Sequence, residues 1–565
     1  MNLFHRTFTR KARIAASHEI SPEDVFLDSE NISKLNLNQM EGHLERPLSK
    51  YVFYVSILFI FLLIGGFGAR LFAMQIVEGK AYKEKADRNH LKSTPIFALR
   101  GTISDRNGAL LAWNTLGTST KEVPERTYTS TAGFSHLLGY VSYPKKDSSG
   151  IFWQEEYIGK DGIEKQYQTL LQGVPGERVI AINARQEVEA ENVTVDPTHG
   201  ENIRLSIDAG VQAKLQERIK TLAQDYGYTA GAGAIMDIHT GELLALTSYP
   251  EYDNNLITNA KTKEENSQVG KDLLDKRQKF LNRAVSGLFT PGSTVKPFMA
   301  IAALMEGVIT PEKSIFSSGS LVIKNKYGGP DTVFKDWKAH GYVDMREAIA
   351  VSSDEYFYQI GGGYMDQPGL GIDRINTYAS MFGFGTTTGI DLPGEEYGVV
   401  PSQAWKKKVF GEDWLVGNTY HTSIGQYGFQ LTPLELIRGI ASIANGGSLV
   451  TPHLLLGLPT ETIELPLKKK DLQVIQEGMR QGVLDGTGRV LNIPGVNIAS
   501  KSGTAELGVR KDLINSWITG YFPYEDPKYA FVVIMEKGSV KNLHGAVFAA
   551  RETIEWMRDN TQYTK

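Results

Sequence analysis

The chain has 565 residues, enough for two to four domains with full cores, and its 41% hydrophobic and 22% charged residues are those of a globular protein. A formal net charge of −4 carries no nucleic-acid signature, and the absence of cysteine excludes disulfides, thiol catalysis and thiolate-held metal. The eleven histidines show no H-E-x-x-H or similar ligand spacing, so no metal and no other cofactor is expected.

Residues 1–50 are polar, with a basic start at Arg6, Arg10, Lys11 and Arg13, and read as a tail. Residues 51–69 carry no charge. At about 1.5 Å per residue they nearly cover a bilayer core of about 30 Å, and the apolar run beyond Arg70 extends the span to 72. The stretch is too long and starts too late for a cleavable signal, so it reads as a transmembrane anchor with the bulk of the chain on one side. Basic residues flank it on both sides (Arg46 and Lys50; Arg70, Lys80, Lys83, Lys85 and Arg88), so charge does not orient it.

Residues 73–100 read as helical, then extended. From Arg100 to Asn114, R-G-T-I-S-D-R-N-G-A-L-L-A-W-N reads as a hairpin, with Gly108 supplying a positive φ in the D-R-N-G turn. Residues 114–133 are Thr/Ser-rich and loop-like, and 139–141 resume a strand. Gly159 to Gly176 reads as a helix between glycine turns, and Glu187 to Val195 as a strand. An amphipathic helix over 210–226 precedes a hairpin turning at His239–Gly241, and helices then dominate from 277 to 450. Strands follow over 498–506, 516–523 and 529–538, and an amphipathic helix over 544–558. Strands at both ends with helices between predict an α+β fold. One antiparallel sheet is shared by the two ends and covered by helices on both faces.

Within the helical part lies F-T-P-G-S-T-V-K-P-F. Ser293 stands at a helix start and Lys296 follows at i+3 on the same face, with Pro297 tolerated in the first turn. A serine hydroxyl needs a base within hydrogen-bond reach, and a lysine of lowered pKa can be one. A second S-x-x-K, Ser142 and Lys145, surrounds Pro144 and reads as a loop. S-S-D at Ser352–Asp354 follows at the start of another helix, and K-S-G-T at Lys501–Thr504 on a strand; K-[ST]-G occurs once in the chain. The ordered triple S-x-x-K, S-x-[ND], K-[ST]-G resembles the signature of penicillin-binding proteins and serine β-lactamases.

That resemblance implies acyl transfer. Ser293 would be the nucleophile, Lys296 the general base and Ser352 a proton relay to the leaving amine. Asp354 would hold the second lysine or the substrate. Lys501 would offer positive charge to a substrate carboxylate, helped by the hydroxyls of Ser502 and Thr504, and Gly503 would let the strand approach the substrate. The backbone N–H groups of Ser293 and Thr504 would form the oxyanion hole. Which lysine or serine moves each proton is not readable from sequence.

The chain further resembles the class B penicillin-binding proteins from about 51 to 558. The resemblance rests on the anchor, R-G-T-I-S-D-R-N-G, G-I-E-K-Q-Y, T-S-Y-P-E-Y-D-N-N (247–255), the three motifs and S-I-G-Q-Y-G-F-Q-L-T-P (423–433). It implies a tail at 1–50 inside the cell, an anchor at 51–72 in the bacterial cytoplasmic membrane, a non-catalytic pedestal at 73–205 and an extracytoplasmic transpeptidase domain at 206–560. The implied activity is peptidoglycan D,D-transpeptidation of stem peptides ending in D-Ala-D-Ala, with D,D-carboxypeptidation as a side reaction and β-lactams acylating the same serine. S-x-D in place of S-x-N resembles the elongation type, which works with a SEDS-family glycan polymerase. The alternatives are a division- or sporulation-type transpeptidase, a hydrolase, and a penicillin-binding sensor or scaffold. Two features depart from the family: the stretch 115–138 is shorter than its usual pedestal, and the tail before the anchor is longer.

Overall fold

The computed structural model describes residues 50–83, 91–115, 123–148, 152–182, 188–325 and 328–564. The tail expected over 1–50 lies outside these residues except for Lys50. The chain divides into two compact units, residues 1–89 and 90–565.

In the first unit, helix α1 (Lys50–Phe72) continues through a π-helical turn, Ala73–Val77, so the apolar helix runs five residues beyond the expected end at 72. Its 28 residues make it about 42 Å long, more than the thickness of a bilayer core. None of its side chains is buried in protein, and Phe59, Phe61, Leu62 and Ile64 stand outward on it. It is the one helix among the described residues long and apolar enough to cross a membrane.

The second unit opens with β1 (Leu91–Ile96). The D-R-N-G turn joins β2 (Ile103–Ser104) to β3 (Leu110–Thr115), with Gly108 at φ +89°. Asp105 Oδ1 closes the turn by accepting from Asn107 N (2.9 Å) and Ala109 N (2.7 Å). The stretch 114–133, expected as a loop, contains β4 (Glu125–Tyr128), paired with β3. Arg126 and Tyr128 point inward and are buried. A buried arginine broke the apolar alternation that marks a strand. The reason for its burial is a charged cluster: Glu164 takes Arg100 Nε at 2.5 Å and Arg126 Nε at 2.7 Å, and all three side chains are fully buried. The helix expected over 159–176 is two short ones, Gly162–Gln166 and Gln168–Leu171, broken at Tyr167 (φ −102°, ψ 29°). Ser142 and Lys145 lie on two short strands, Val141–Ser142 and Lys145–Lys146, not in the expected loop. β5 (Gly176–Ile182) pairs with β1 on one side and β6 (Val188–Val195) on the other, and β7 (Ile203–Arg204) runs parallel to β2.

The remainder is built on one antiparallel sheet. Its strands are β8 (Ala230–Asp237), β9 (Leu243–Tyr249), β10 (Ala499–Leu507), β11 (Leu513–Phe522) and β12 (Tyr529–Ser539), in the order β9-β8-β12-β11-β10. The helices used below are α2 (Ala209–Tyr226), α3 (Lys296–Met305), α4 (Asp354–Gly362), α5 (Val416–Ser423), α6 (Pro433–Ala444), α7 (Lys469–Leu484) and α8 (Ala546–Asn560). Strand alternation sends neighbouring apolar residues to opposite faces. Ile235, Ile518 and Val533 pack with Val211, Leu215 and Ile219 of α2 and with Ala549 and Ile554 of α8. Ala234, Trp517 and Val532 face a second core containing Phe298 of α3, Ile437 of α6 and Ile475 of α7. Both faces are thus covered, as the sequence predicts. Helices dominate 277–450 as expected, with an interruption at Ile315–Val343. There two nested hairpins pair Ile315–Ser317 with Gly341–Val343 and Ser320–Ile323 with Thr332–Lys335.

Candidate active site

Ser293 lies at the start of the second core. Gly292 sits at φ +54°, a left-handed conformation that favours glycine. A 3₁₀ turn over Gly292–Val295 then passes directly into α3, with Pro297 in its first turn. In a 3₁₀ turn residues i and i+3 eclipse, so Ser293 and Lys296 share a face, as expected, although the turn at Ser293 is not yet α-helical.

Two backbones crowd this turn. A Cβ on Gly425 would stand 2.2 Å from Gly292 O, one on Gly292 2.7 Å from Thr504 O, and one on Gly503 2.9 Å from Pro291 O and 2.7 Å from Thr294 Cγ2. Gly425 O accepts from Gly292 N at 3.0 Å. Glycine at these positions lets the edge strand β10 and the loop after α5 close on the nucleophile turn. In a strand the N–H and C=O of one residue point the same way, so Thr504 N–H faces the turn that holds Ser293.

Lys296 is fully buried. Its Nζ donates to Asp354 Oδ1 (2.6 Å), Ser352 O (2.8 Å) and Ser352 Oγ (3.3 Å), and lies 5.4 Å from the centroid of the Phe357 ring. Ser293 Oγ has no hydrogen-bond partner among the described residues. Lys501 is also buried, and its Nζ donates to Ser352 Oγ and to Ser502 O, both at 2.8 Å. Burial and the neighbouring Lys296 ammonium push the Lys501 pKa well below the usual lysine range, against an opposing pull from Asp354. The expected contact of Asp354 with the second lysine is not formed: Asp354 pairs with Lys296, and Ser352 takes Lys501. The Ser502 hydroxyl, expected to assist the substrate, donates instead to Thr487 Oγ1 (2.7 Å), because side chains alternate along the strand and that of Ser502 leaves on the side of Thr487. Thr504 is exposed.

Ser352 joins the two lysines from a strained backbone, φ +58°. Such a non-glycine residue costs on the order of 1–3 kcal/mol and persists where its surroundings fix it. Ser353 caps α4, accepting from Tyr356 N (3.3 Å). The carboxylate of Asp336, from the nested hairpins, accepts from Ser353 Oγ and Glu355 N, both at 2.9 Å. The Trp337 indole donates to Ser352 O at 3.2 Å. Asp336, Trp337, Thr487 and Gly425 are the site residues that sequence reasoning left without a role. D-G-T-G around Thr487 signals a turn, and Gly425 lies in S-I-G-Q. Nothing in the sequence marks Asp336 or Trp337.

Residues 231–553 match the family model described as penicillin binding protein transpeptidase domain, and residues 114–205 that of the penicillin-binding protein dimerisation domain. The peptidoglycan D,D-transpeptidase MrdA of Salmonella typhimurium is 32% identical over 496 residues, covering 80% of this chain and 76% of that protein. Among solved structures, PBP2 in its complex with MreC from Helicobacter pylori aligns with a TM-score of 0.68 at 28% identity, over 83% of this chain and 99% of that one. A chain of a peptidoglycan synthase complex that coordinates polymerization and crosslinking aligns with a TM-score of 0.70 at 27% identity, over 91% of this chain and 99% of that one. The buried two-lysine cluster beside a serine, set on this sheet and matched over most of the chain, makes the protein a member of the class B penicillin-binding proteins of the elongation type.

Proposed function

We propose that this chain cross-links peptidoglycan through an acyl-enzyme on Ser293. The protein is a peptidoglycan D,D-transpeptidase of the elongation type. The single observation that supports the residue assignment is the convergence of Lys296, Ser352, Asp354 and Lys501 in one hydrogen-bonded cluster beside Ser293.

In this reading Lys296 is the base. Its three Nζ contacts use all the hydrogens of an ammonium, so it takes the Ser293 proton after passing one of its own through Ser352 Oγ toward Lys501. Burial and the Lys296 charge lower the Lys501 pKa, so its amine has a lone pair open to the proton, and the arriving substrate carboxylate stabilises the cation that forms. Ser293 Oγ then attacks the carbonyl of the penultimate D-Ala. The N–H groups of Ser293 and Thr504 hold the oxyanion, each worth roughly a hundredfold in rate or more. The proton returns through Lys296 and Ser352 to the departing D-Ala amine as the C–N bond breaks. An amine of a neighbouring stem peptide attacks the ester, or water does, giving D,D-carboxypeptidation as the side reaction. Lys501 keeps its expected part in attracting the substrate carboxylate, acting with Thr504 from the edge strand.

The same reading divides the chain into an anchor at 51–72, a pedestal at 73–205 and a catalytic domain at 206–560. It puts the catalytic domain outside the cytoplasmic membrane, beside a SEDS-family polymerase. The matched synthase complex, which coordinates polymerization with crosslinking, supports a polymerase partner, and the MreC-bound relative supports a further protein partner.

The test is labelling of the full-length protein with a fluorescent penicillin. Labelling of the wild type and of Ser142→Ala, with none of Ser293→Ala, is expected. A labelled Ser293→Ala protein overturns the nucleophile assignment. A labelled wild type that forms no cross-linked product from stem peptides turns the reading to a sensor or scaffold.

A further inference from the structure

His421 is a titratable side chain that the donor half-reaction leaves unused. It lies on α5, whose C-terminal end delivers Gly425 to the nucleophile turn: His421 O accepts from Gln426 N at 2.9 Å, and Gly425 O from Gly292 N at 3.0 Å. Its half-buried ring lies against Tyr358 (centroids 6.3 Å) and Phe334 (5.3 Å). Tyr358 follows Asp354 by four residues on α4, so the ring lies along the helix face that carries Asp354. Lys511, in the turn between β10 and β11, is paired with Glu506 at 2.6 Å, and its charge reaches the ring. Partial burial and the Lys511 charge lower the imidazole pKa, and Asp354 opposes them. The ring is therefore neutral near pH 7. Neither ring nitrogen has a hydrogen-bond partner among the described residues. Asp354 bonds Lys296 through Oδ1, its Oδ2 has no hydrogen-bond partner among the described residues, and its side chain is 19% exposed.

Transpeptidation has a requirement that acylation lacks. The acceptor is an aliphatic primary amine, with a pKa near about 10.4 like that of lysine, so it arrives as an ammonium ion and cannot attack. The site must hold a cation and remove its first proton without drawing on Lys296, which is needed for the second. We infer that His421 is the acceptor-side base, taking a proton from an acceptor ammonium held by the open carboxylate oxygen of Asp354. The amine so freed attacks the Ser293 ester and its N–C bond forms. Its second proton passes to Lys296 and on to Ser293 Oγ as the C–Oγ bond breaks, and the His421 imidazolium returns its proton to water. This inference rests on the transpeptidase reading above and adds the residue that serves its second half.

Full-length wild type, His421→Ala and His421→Gln are compared in two measurements: acylation by fluorescent penicillin, and product partition from a D-alanyl thioester donor with a diamino-acid amide as acceptor. Both variants are expected to acylate within about twofold of wild type, because acylation precedes the acceptor, while the ratio of amide product to hydrolysed acid falls at least about tenfold. The inference is overturned by a variant that acylates normally and keeps the wild-type ratio. It is equally overturned if acylation and aminolysis fall together in both variants, which assigns His421 to the fold. A wild type that acylates but yields no amide product is the separate failure of the transpeptidase reading.

Discussion

At the scale of single residues, the site combines two buried lysines that repel each other with one serine hydroxyl that both contact. Lys501 shows the energetic consequence. Its folded-state pKa is depressed, so between that value and the unfolded value near about 10.4 the unfolded chain binds more protons than the folded one. Folding stability therefore rises with pH through that window, and below it Lys501 costs stability in full. Lys501→Met removes the cost. The variant is expected to melt at a higher temperature than wild type at pH 6, to lose most of that advantage by pH 10, and to be acylated by penicillin far more slowly. Thermal melts at the two pH values, beside acylation rates, check this. A Met variant less stable than wild type at pH 6 would mean that the bonds to Ser352 and Ser502 outweigh the desolvation of the charge.

At the scale of elements, the nucleophile turn is held by close backbone approach together with side-chain bonds from Thr294 Oγ1 to Pro291 O (2.9 Å) and from the Trp517 indole to Thr290 O (3.0 Å). The edge strand β10 comes close enough at Gly503 that a Cβ would stand 2.9 Å from Pro291 O and 2.7 Å from Thr294 Cγ2. Gly503→Ala must push the strand off the turn. A displacement of about 1 Å at a reacting centre costs roughly a hundredfold in rate, so acylation is expected to fall by that order while the protein stays folded. Gly425→Ala carries a double penalty: its φ of +73° disfavours a side chain, and its Cβ would meet Gly292 O at 2.2 Å. It is expected to slow acylation at least as much and to lower the melting temperature as well. Circular dichroism and penicillin acylation on the same samples separate the two effects. The K-S-G-T motif was legible as a strand from its sequence. The partner of its serine was not, because Thr487 lies on a turn that only the chain's course brings alongside.

At the scale of the whole molecule, the buried ion cluster of Arg100, Arg126 and Glu164 ties R-G-T-I, the strand Glu125–Tyr128 and G-I-E-K-Q-Y into one block. Glu164→Ala leaves two guanidinium groups buried without their carboxylate, a loss of about 3–5 kcal/mol. Chemical denaturation is expected to report that loss, with acylation of the folded protein unchanged within about twofold, since the cluster lies outside the site described above. Tyr167 OH, from the same block, donates to Asp391 Oδ2 at 2.5 Å, and Asp391 also accepts from Leu454 N and Leu455 N. The block is thereby fastened to the part of the chain that carries the shared sheet.

The apolar run after Lys50, the D-R-N-G and H-T-G hairpins, the strands at both ends and the ordered S-x-x-K, S-S-D and K-S-G-T motifs are local patterns. Period and turn chemistry sufficed to read the fold class from them, and the reaction was implied by the resemblance of the ordered motifs to the penicillin-binding signature. Strand β4 escaped because its inward positions hold Arg126 beside Tyr128, and a buried charge is apolar-like only once Glu164 is in place. The pairing of Asp354 with Lys296, the joining of both lysines at Ser352, and the roles of Asp336, Trp337 and Gly425 were decided by the tertiary structure alone. Each depends on groups brought together from distant parts of the chain, and no local pattern in the sequence encodes which of two lysines a carboxylate will reach.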